Sequence, residues 1–135
     1  MTITKKSCTE KGSTIVESAL CLTLFLMITF GTIDFGRAVF AYNFVSYAAR
    51  EATRYAMVRG SSSSSPATNA GINSYVTGFA VGLDPSALTV NTIWTPDNKP
   101  GSTVAVTVKF TFSAVVPYVP AKIPFQSTST MIIAQ

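Results

Sequence analysis

The chain has 135 residues, a formal net charge of +4, and charged residues at 12% of the total, against roughly 25% in soluble domains. That length holds one small domain, and the low charge together with a positive mean hydropathy predicts a membrane segment. Basic residues are dispersed without a nucleic-acid-binding motif, and histidine is absent, which excludes histidine-based catalysis and histidine metal ligands. We therefore expect no metal or other cofactor.

The N-terminal segment consists of a short polar leader followed by an apolar run. Residues 1–12 include three lysines, whereas residues 15–33 contain a single charge, at Glu17. At about 1.5 Å per residue a helix of that length reaches roughly 28 Å, close to the ~30 Å thickness of the hydrocarbon core. No small-x-small cleavage site follows the run, so we predict a retained single-pass anchor rather than a cleaved secretory signal.

The helix is predicted to continue beyond the membrane as a stem. Residues 37–58 contain no proline, and their apolar and small side chains recur at spacings of three and four. Arg59 and Gly60 are predicted to end the helix, with Gly60 as a left-handed cap. The transmembrane and stem helix is therefore predicted over residues 13–60.

A serine-rich joint over residues 61–66 is predicted to separate this helix from a small extracytoplasmic domain over residues 67–135. Pro66, capped by Ser65, is predicted to open a second, short helix. The residues expected on one face of that helix are Ile72, Tyr75, Val76, Phe79 and Leu83.

From Leu88 onward the apolar period changes to two, which predicts strands. A hairpin is expected around the turn-rich residues 96–101, followed by a proline-interrupted loop and a last strand over residues 127–134. The prolines of that loop are Pro117, Pro120 and Pro124. The residues expected on the buried face of the second strand are Val104, Val106, Val108, Phe110 and Phe112.

The expected fold class is α+β, with a long N-terminal transmembrane and stem helix followed by a small antiparallel sheet domain that carries a short helix. Two or three strands alone would be only marginally stable, so helix cover on the Val/Phe face is physically required.

The boundary between leader and apolar run carries a glycine and, five residues later, a carboxylate, Gly12 and Glu17. A charge at the edge of hydrocarbon is costly, so it commonly has a partner or a function. In this respect the segment resembles the substrates of prepilin peptidase, an enzyme that cuts after the glycine and leaves a glutamate at position five for assembly. Alternatively, Gly12 belongs to a linker and Glu17 marks the membrane interface.

Two further motifs strengthen the resemblance, one at the expected membrane exit and one in the stem. Residues 31–37 read GTIDFGR, and residues 48–56 read AAREATRYA. With them, residues 11–60 are similar to the TadE-like family of pseudopilins or minor pilins of tight-adherence (Flp-type) pili. The proline that members often carry in the apolar run is missing here, and Ser18 stands where many have an aromatic residue.

The resemblance implies a processing event and a location. Prepilin peptidase would cut between Gly12 and Ser13, and the new ammonium group of Ser13 would be neutralised by Glu17 of a neighbouring subunit. The N-terminus would lie in the cytoplasm and the domain in the periplasm, on a chain anchored in a bacterial inner membrane or incorporated in a pilus at the cell surface. The implied partners are the peptidase, other pilins and pseudopilins, inner-membrane assembly proteins and the lipid bilayer, without nucleic acid.

Two groups of residues are candidates for contacts between subunits. Asp34 and Arg37 form either a docking ion pair or an interfacial pair in which Arg37 extends towards the headgroups. In the stem, Glu51 and Arg54 have the spacing of a helix-surface pair. Small stem residues permit close helix approach, either to another subunit or to the protein's own sheet. The stem candidates are Ala49, Arg50, Glu51, Ala52 and Arg54.

Three functions compete at this stage. The leading prediction is a structural assembly subunit, and the second is an uncleaved membrane-anchored module whose outer domain binds a ligand or a surface. An enzyme is not expected, because the six acidic residues are dispersed and no phosphate-binding loop or nucleophile motif is present. The N-terminal residue of the protein in membranes separates the first two functions.

Overall fold

The computed structural model describes residues 8–115 and 122–134. One very long helix is followed by a short helix, a single 3₁₀ turn and three strands, which confirms the predicted α+β class. The elements are α1 (Cys8–Met57), α2 (Asn69–Gly78), the 3₁₀ turn (Pro85–Ala87), β1 (Leu88–Thr95), β2 (Thr103–Phe112) and β3 (Ile123–Ile132).

The three strands form an antiparallel sheet in the order β1-β2-β3. Leu88 pairs with Phe110 and Thr95 with Thr103, so β1 and β2 form the predicted hairpin. The turn between them contains Gly101 at a φ of 88°, a conformation that favours glycine because it has no Cβ. The predicted alternation in β2 is confirmed, since its five Val and Phe side chains are all buried.

The last strand begins earlier than the sequence indicated. β3 runs from Ile123 to Ile132 and therefore includes Pro124, which had been assigned to a loop. Pro124 is tolerated because β3 is an edge strand, in which a missing N–H need not interrupt the ladder. The other two prolines of the predicted loop, Pro117 and Pro120, lie outside the described residues.

The predicted start of the second helix is also wrong. Thr68, not Ser65, caps α2, and its side chain accepts a hydrogen bond from the Gly71 amide at 3.1 Å. Pro66 lies before the helix, where the next amide, that of Ala67, donates instead to the Arg59 carbonyl at 2.7 Å. This bond holds the chain extended and delays the helix until a residue with a capping hydroxyl follows.

The residues predicted to share one face of the second helix do not all lie on that helix. Ile72 and Val76 are fully buried as expected. Leu83 lies beyond the end of α2, in the turn that contains Gly82 at a φ of 77°. The helix ends at Gly78 because Phe79 leaves the helical conformation, so Leu83 reaches the core from a loop.

The long helix ends without the predicted left-handed glycine. α1 ends at Met57, and the described glycines with positive φ are Gly82 and Gly101, not Gly60. The carbonyl of Met57 accepts instead from the Ala134 amide at 3.0 Å. A C-terminal segment that follows β3 therefore supplies the donor that a glycine cap would have provided.

The core lies between the second half of α1 and the sheet. This half of α1 packs over β2 and β3, and α2 packs against both α1 and β1. Close contact is possible because the helix contributes mainly alanines, and the sheet contributes valines and phenylalanines. The fully buried alanines of α1, each at 0% exposure, are Ala41, Ala48, Ala49, Ala52 and Ala56.

Candidate assembly and membrane-anchoring site

The N-terminal half of α1 is exposed around its whole circumference. Every side chain from residue 12 to residue 28 is exposed, including those of Val16 at 69%, Phe25 at 64% and Ile28 at 71%. Water disfavours such a surface, whereas hydrocarbon accommodates it. Among residues 8–115 and 122–134, α1 is the one helix long and apolar enough to cross a membrane.

Three threonines of this segment satisfy their hydroxyl groups within the helix. The Oγ1 atoms of Thr23, Thr29 and Thr32 each donate to the carbonyl oxygen four residues earlier, at 2.8 Å in each case. In hydrocarbon no water is available, so each hydroxyl needs an internal partner. The threonines are therefore compatible with a lipid-facing helix.

The predicted processing and assembly residues all lie near the start of α1. Gly12, Ser13 and Glu17 are exposed, and Glu17 follows Ser13 by one helical turn on the same face. A Cβ added at Gly12 would meet no atom within 4 Å. Packing within the chain therefore gives no reason for glycine at this position. The helix begins at Cys8, so it overlaps the predicted leader over residues 8–12.

Asp34 connects the helix to the sheet domain at the predicted membrane exit. Its side chain is only 9% exposed and lies 2.8 Å from Nη1 of Arg37. The second carboxylate oxygen, Oδ2, accepts a hydrogen bond from the Val115 amide, also at 2.8 Å. The segment that follows β2 is thereby fixed to α1 directly after the apolar run.

Arg37 adds an aromatic contact to the same junction. Its guanidinium lies 5.4 Å from the centre of the Phe112 ring, at the end of β2. Phe112 in turn is 6.0 Å from the Phe125 ring, which contacts Tyr42 of α1 edge-on at 6.1 Å. The predicted membrane-exit pair therefore makes contacts within one chain, and a docking role between subunits stays a prediction.

The stem candidates divide between the core and the surface. Ala49 and Ala52 are fully buried against the protein's own domain, so this small-residue face is occupied within a single chain. Arg50 and Arg54 are exposed, and the Nε of Arg50 donates to the Ser46 carbonyl at 3.2 Å.

Glu51 contacts α2 rather than the predicted helix-surface partner. Its Oε1 accepts a hydrogen bond from the Tyr75 hydroxyl at 3.2 Å. Burial and this bond raise the pKa of Tyr75 above its ordinary value. The Tyr75 ring stacks on Tyr55 at 4.4 Å, and the Arg59 guanidinium lies 4.0 Å from the Tyr55 ring centre. The two contacts of Tyr75 hold α2 on the stem.

Most of α1 matches a known protein family. The family model of TadE-like proteins matches residues 12–54. This segment is TadE-like. No match was found among curated proteins, and none among solved structures.

The TadE-like segment covers the apolar run, the exit pair and most of the stem, and it ends before the sheet domain begins. The recognition made from the motifs is therefore confirmed. The family is associated with the Tad pilus and is not known for catalysis, and the apolar N-terminal helix indicates membrane anchoring. The chain therefore contains a segment similar to a pilus-associated family, on a helix long and apolar enough to cross a membrane.

Some residues at the junctions between α1 and the rest of the chain were not identified from sequence. Val115 is the partner of Asp34 across 81 residues of chain, and its contribution is a backbone amide, for which no side-chain signal exists. Tyr75 had been assigned to an apolar face, although its hydroxyl reaches Glu51. No group of three or more metal-ligating side chains occurs in the described part of the chain.

Proposed function

We propose that the chain is a minor pilin or pseudopilin of a tight-adherence pilus, cut by prepilin peptidase after Gly12. The observation that carries the proposal is the unequal burial of α1. Its stem half is covered by the chain's own domain, whereas residues 12–33 present apolar side chains in every direction. Such a helix can be stored in a bilayer and later pack against the corresponding helices of other subunits.

Cleavage would give Glu17 a partner of opposite charge. The new terminal ammonium at Ser13 and the Glu17 carboxylate are each costly at the edge of hydrocarbon, and pairing lowers the combined penalty. Because the two groups lie one turn apart in the same helix, the ammonium is accessible either to its own Glu17 or to that of a neighbour. In the assembled state we expect the neighbour's carboxylate to be used.

The proposed orientation places the leader in the cytoplasm and the sheet domain in the periplasm of a bacterial inner membrane. Partners are prepilin peptidase, other pilins and pseudopilins, and inner-membrane assembly proteins. The TadE-like match supports the association with the pilus, and Asp34 and Arg37 at the end of the apolar run support a domain held close to the membrane surface.

The first experiment is the intact mass and N-terminal sequence of the protein recovered from membranes of cells that contain the peptidase. The proposal expects Ser13 as the first residue, and Gly12→Leu should preserve the full leader. A matched control is Gly31→Leu, another α1 glycine at which a Cβ meets no atom within 4 Å. This control should be trimmed normally. Recovery of the full leader from the wild type would overturn the proposed processing.

The second experiment separates processing from assembly. Glu17→Ala should be trimmed normally and yet fail to assemble, because the ammonium of Ser13 then lacks its partner. Ser18→Ala, an exposed neighbour on the same helix, serves as the control and should assemble. Normal pili in the Glu17→Ala strain would contradict an assembly role for this carboxylate.

The alternative is an uncleaved, membrane-anchored binding module. The observation that favours it is that α1 continues without interruption from Cys8 through Gly12, so the peptide bond after Gly12 lies within a helix that must open before cleavage. Recovery of the intact leader, with unimpaired pilus assembly in a strain lacking the protein, would favour this second function.

A further inference from the structure

A cleft opens where α1 leaves the apolar run. It has a volume of about 540 Å³ and lies between the helix, the turn after α2 and the end of β2. Ile33 and Phe40, both on α1 and both 51% exposed, lie on its helix wall. Leu83 and Phe112 extend the apolar lining from the other two elements.

Two side chains of opposite charge line this otherwise mostly apolar cleft. Arg37 lies on the helix side and Asp84 on the turn opposite. The Arg37 side chain is 49% exposed, and its bond to Asp34 uses one of five N–H donors. The Oδ1 atom of Asp84 accepts bonds from Ser86 at 2.9 and 2.8 Å. Among the described residues, its Oδ2 atom has no hydrogen-bond partner.

The loops beside the cleft carry exposed apolar side chains. Val81 is 79% exposed and directly precedes Gly82 of the cleft lining. The side chain of Val115, whose own amide donates to Asp34, is 66% exposed. Phe35, one residue past Asp34, is 71% exposed. This end of the domain therefore lies next to the apolar span and continues its apolar surface.

From these observations we propose that the cleft binds the headgroup of a zwitterionic, amine-bearing phospholipid of the surrounding bilayer, with the phosphate on Arg37 and the ammonium on Asp84. The inference rests on the proposed membrane placement of α1 but not on cleavage. The two charges match a headgroup that carries one of each sign, and the acyl chains would extend along Ile33 towards the membrane interior.

The charges of the headgroup distinguish an amine-bearing phospholipid from other phospholipids at this cleft. A purely anionic headgroup would bring its phosphate to Arg37 but would leave Asp84 facing an acidic or neutral group. Hydrogen bonds from Ser86 lower the pKa of Asp84, so it is ionised at neutral pH. A choline headgroup carries the positive charge but no N–H donor, so it pairs with a carboxylate less closely than a primary ammonium does.

The test uses the full chain purified into nanodiscs of equal parts phosphatidylethanolamine, phosphatidylcholine and phosphatidylglycerol. Native mass spectrometry after transfer to detergent then measures the lipid retained. We expect phosphatidylethanolamine to be enriched about fivefold over the other two, the ratio that corresponds to one partly exposed charge pair. Retention that mirrors the nanodisc composition would overturn the proposal.

Substitutions of Asp84 and Arg37 test which side chain binds the ammonium and which binds the phosphate. Asp84→Asn keeps an oxygen for Ser86 and should bind phosphatidylethanolamine and phosphatidylcholine equally. Arg37→Gln should lose retention of all three lipids, while Arg50→Gln, an exposed arginine of the stem, should behave as the wild type. An unchanged lipid preference in Asp84→Asn would refute the pairing, even where Arg37→Gln does not fold.

The N-terminal mass of the same samples distinguishes the two proposals. Selective retention on a chain that keeps its leader would preserve this inference and overturn the proposed processing. A trimmed chain without lipid preference would overturn this inference alone. Excess soluble phosphoethanolamine should displace little of the retained lipid, because it lacks the acyl chains that hold the lipid beside α1.

Discussion

The two halves of α1 share one backbone and have opposite surroundings. In the first half the large side chains are exposed, with Phe25 at 64%, whereas in the second half five alanines are fully buried, among them Ala52 at 0%. No break in the helix separates them, since α1 runs continuously from Cys8 to Met57. The difference lies in side-chain size and in what each half packs against.

Side-chain size suits the two halves of one continuous helix to two different environments. Small residues let the sheet approach the stem closely, and the domain then supplies the apolar neighbours. Large residues in the first half have no neighbours within the chain, so hydrocarbon or other helices must supply them. Asp34 marks the boundary between the two halves. Its carboxylate accepts a hydrogen bond from the Val115 amide, in the segment that follows β2, and so joins the domain to α1 directly after the apolar run.

The largest expected effect comes from placing the same side chain in each half. Ala52→Leu inserts three carbons into a fully packed contact and should destabilise the domain by about 3 kcal/mol, at the upper end for overpacking. Ala19→Leu, at an exposed position of the first half, should change it by less than about 0.5 kcal/mol. Denaturant unfolding in detergent micelles, followed by near-ultraviolet circular dichroism, measures both. Equal effects would contradict the division of α1.

Loss of the boundary contact should have the next largest effect. Asp34→Ala leaves the Val115 amide without its acceptor and Arg37 without its carboxylate, which should cost about 1–3 kcal/mol. Hydrogen exchange at Val115 should also become faster. Asp34→Asn retains an oxygen for the amide and should preserve more of the protection. Unchanged exchange in Asp34→Ala would show that this bond does not hold the loop on α1.

The fold was predictable where a local period had one physical interpretation. Alternation in β2 predicted the buried Val/Phe face because a strand places successive side chains on opposite sides. The apolar run predicted the exposed half of α1 by length and lack of charge. The motifs around Gly12, Asp34 and Ala49 were sufficient to recognise the TadE-like segment.

The remaining features depended on distant parts of the chain. Pro124 could be placed in β3 only once the sheet order showed an edge strand. The end of α1 uses the Ala134 amide, and Asp34 uses the Val115 amide. A residue pattern does not reveal contacts made by backbone groups. The sequence therefore predicted a glycine cap at Gly60 and a docking or interfacial ion pair of Asp34 with Arg37.

The contact between the stem and α2 should titrate at alkaline pH. Because the pKa of Tyr75 is raised above the ordinary 10.0, its bond to Glu51 stabilises the fold below about pH 10 and is lost as the pH rises through the folded-state value. Tyr75→Phe keeps the stacking on Tyr55 and should remove this dependence, with a loss of about 1 kcal/mol at neutral pH. Denaturant midpoints between pH 8 and pH 11 test this. Parallel profiles for wild type and variant would contradict it.

The smallest effect is expected at the acid side, in the turn between β1 and β2. Hydrogen bonds from Ser102 and Lys99 lower the pKa of Asp97 below the ordinary 3.8. A lowered folded-state value stabilises the fold above about pH 3.8, and that stability is lost as the pH falls through the folded-state pKa. Asp97→Asn should therefore flatten the acid limb of a stability profile without changing the alkaline limb.

Asp84 has a lowered pKa as well, so the double variant Asp97→Asn, Asp84→Asn should flatten that limb further. Both carboxylates lie in the sheet domain, so additive flattening in micelles would assign this part of the acid response to the domain, and an unchanged acid limb in the double variant would contradict it.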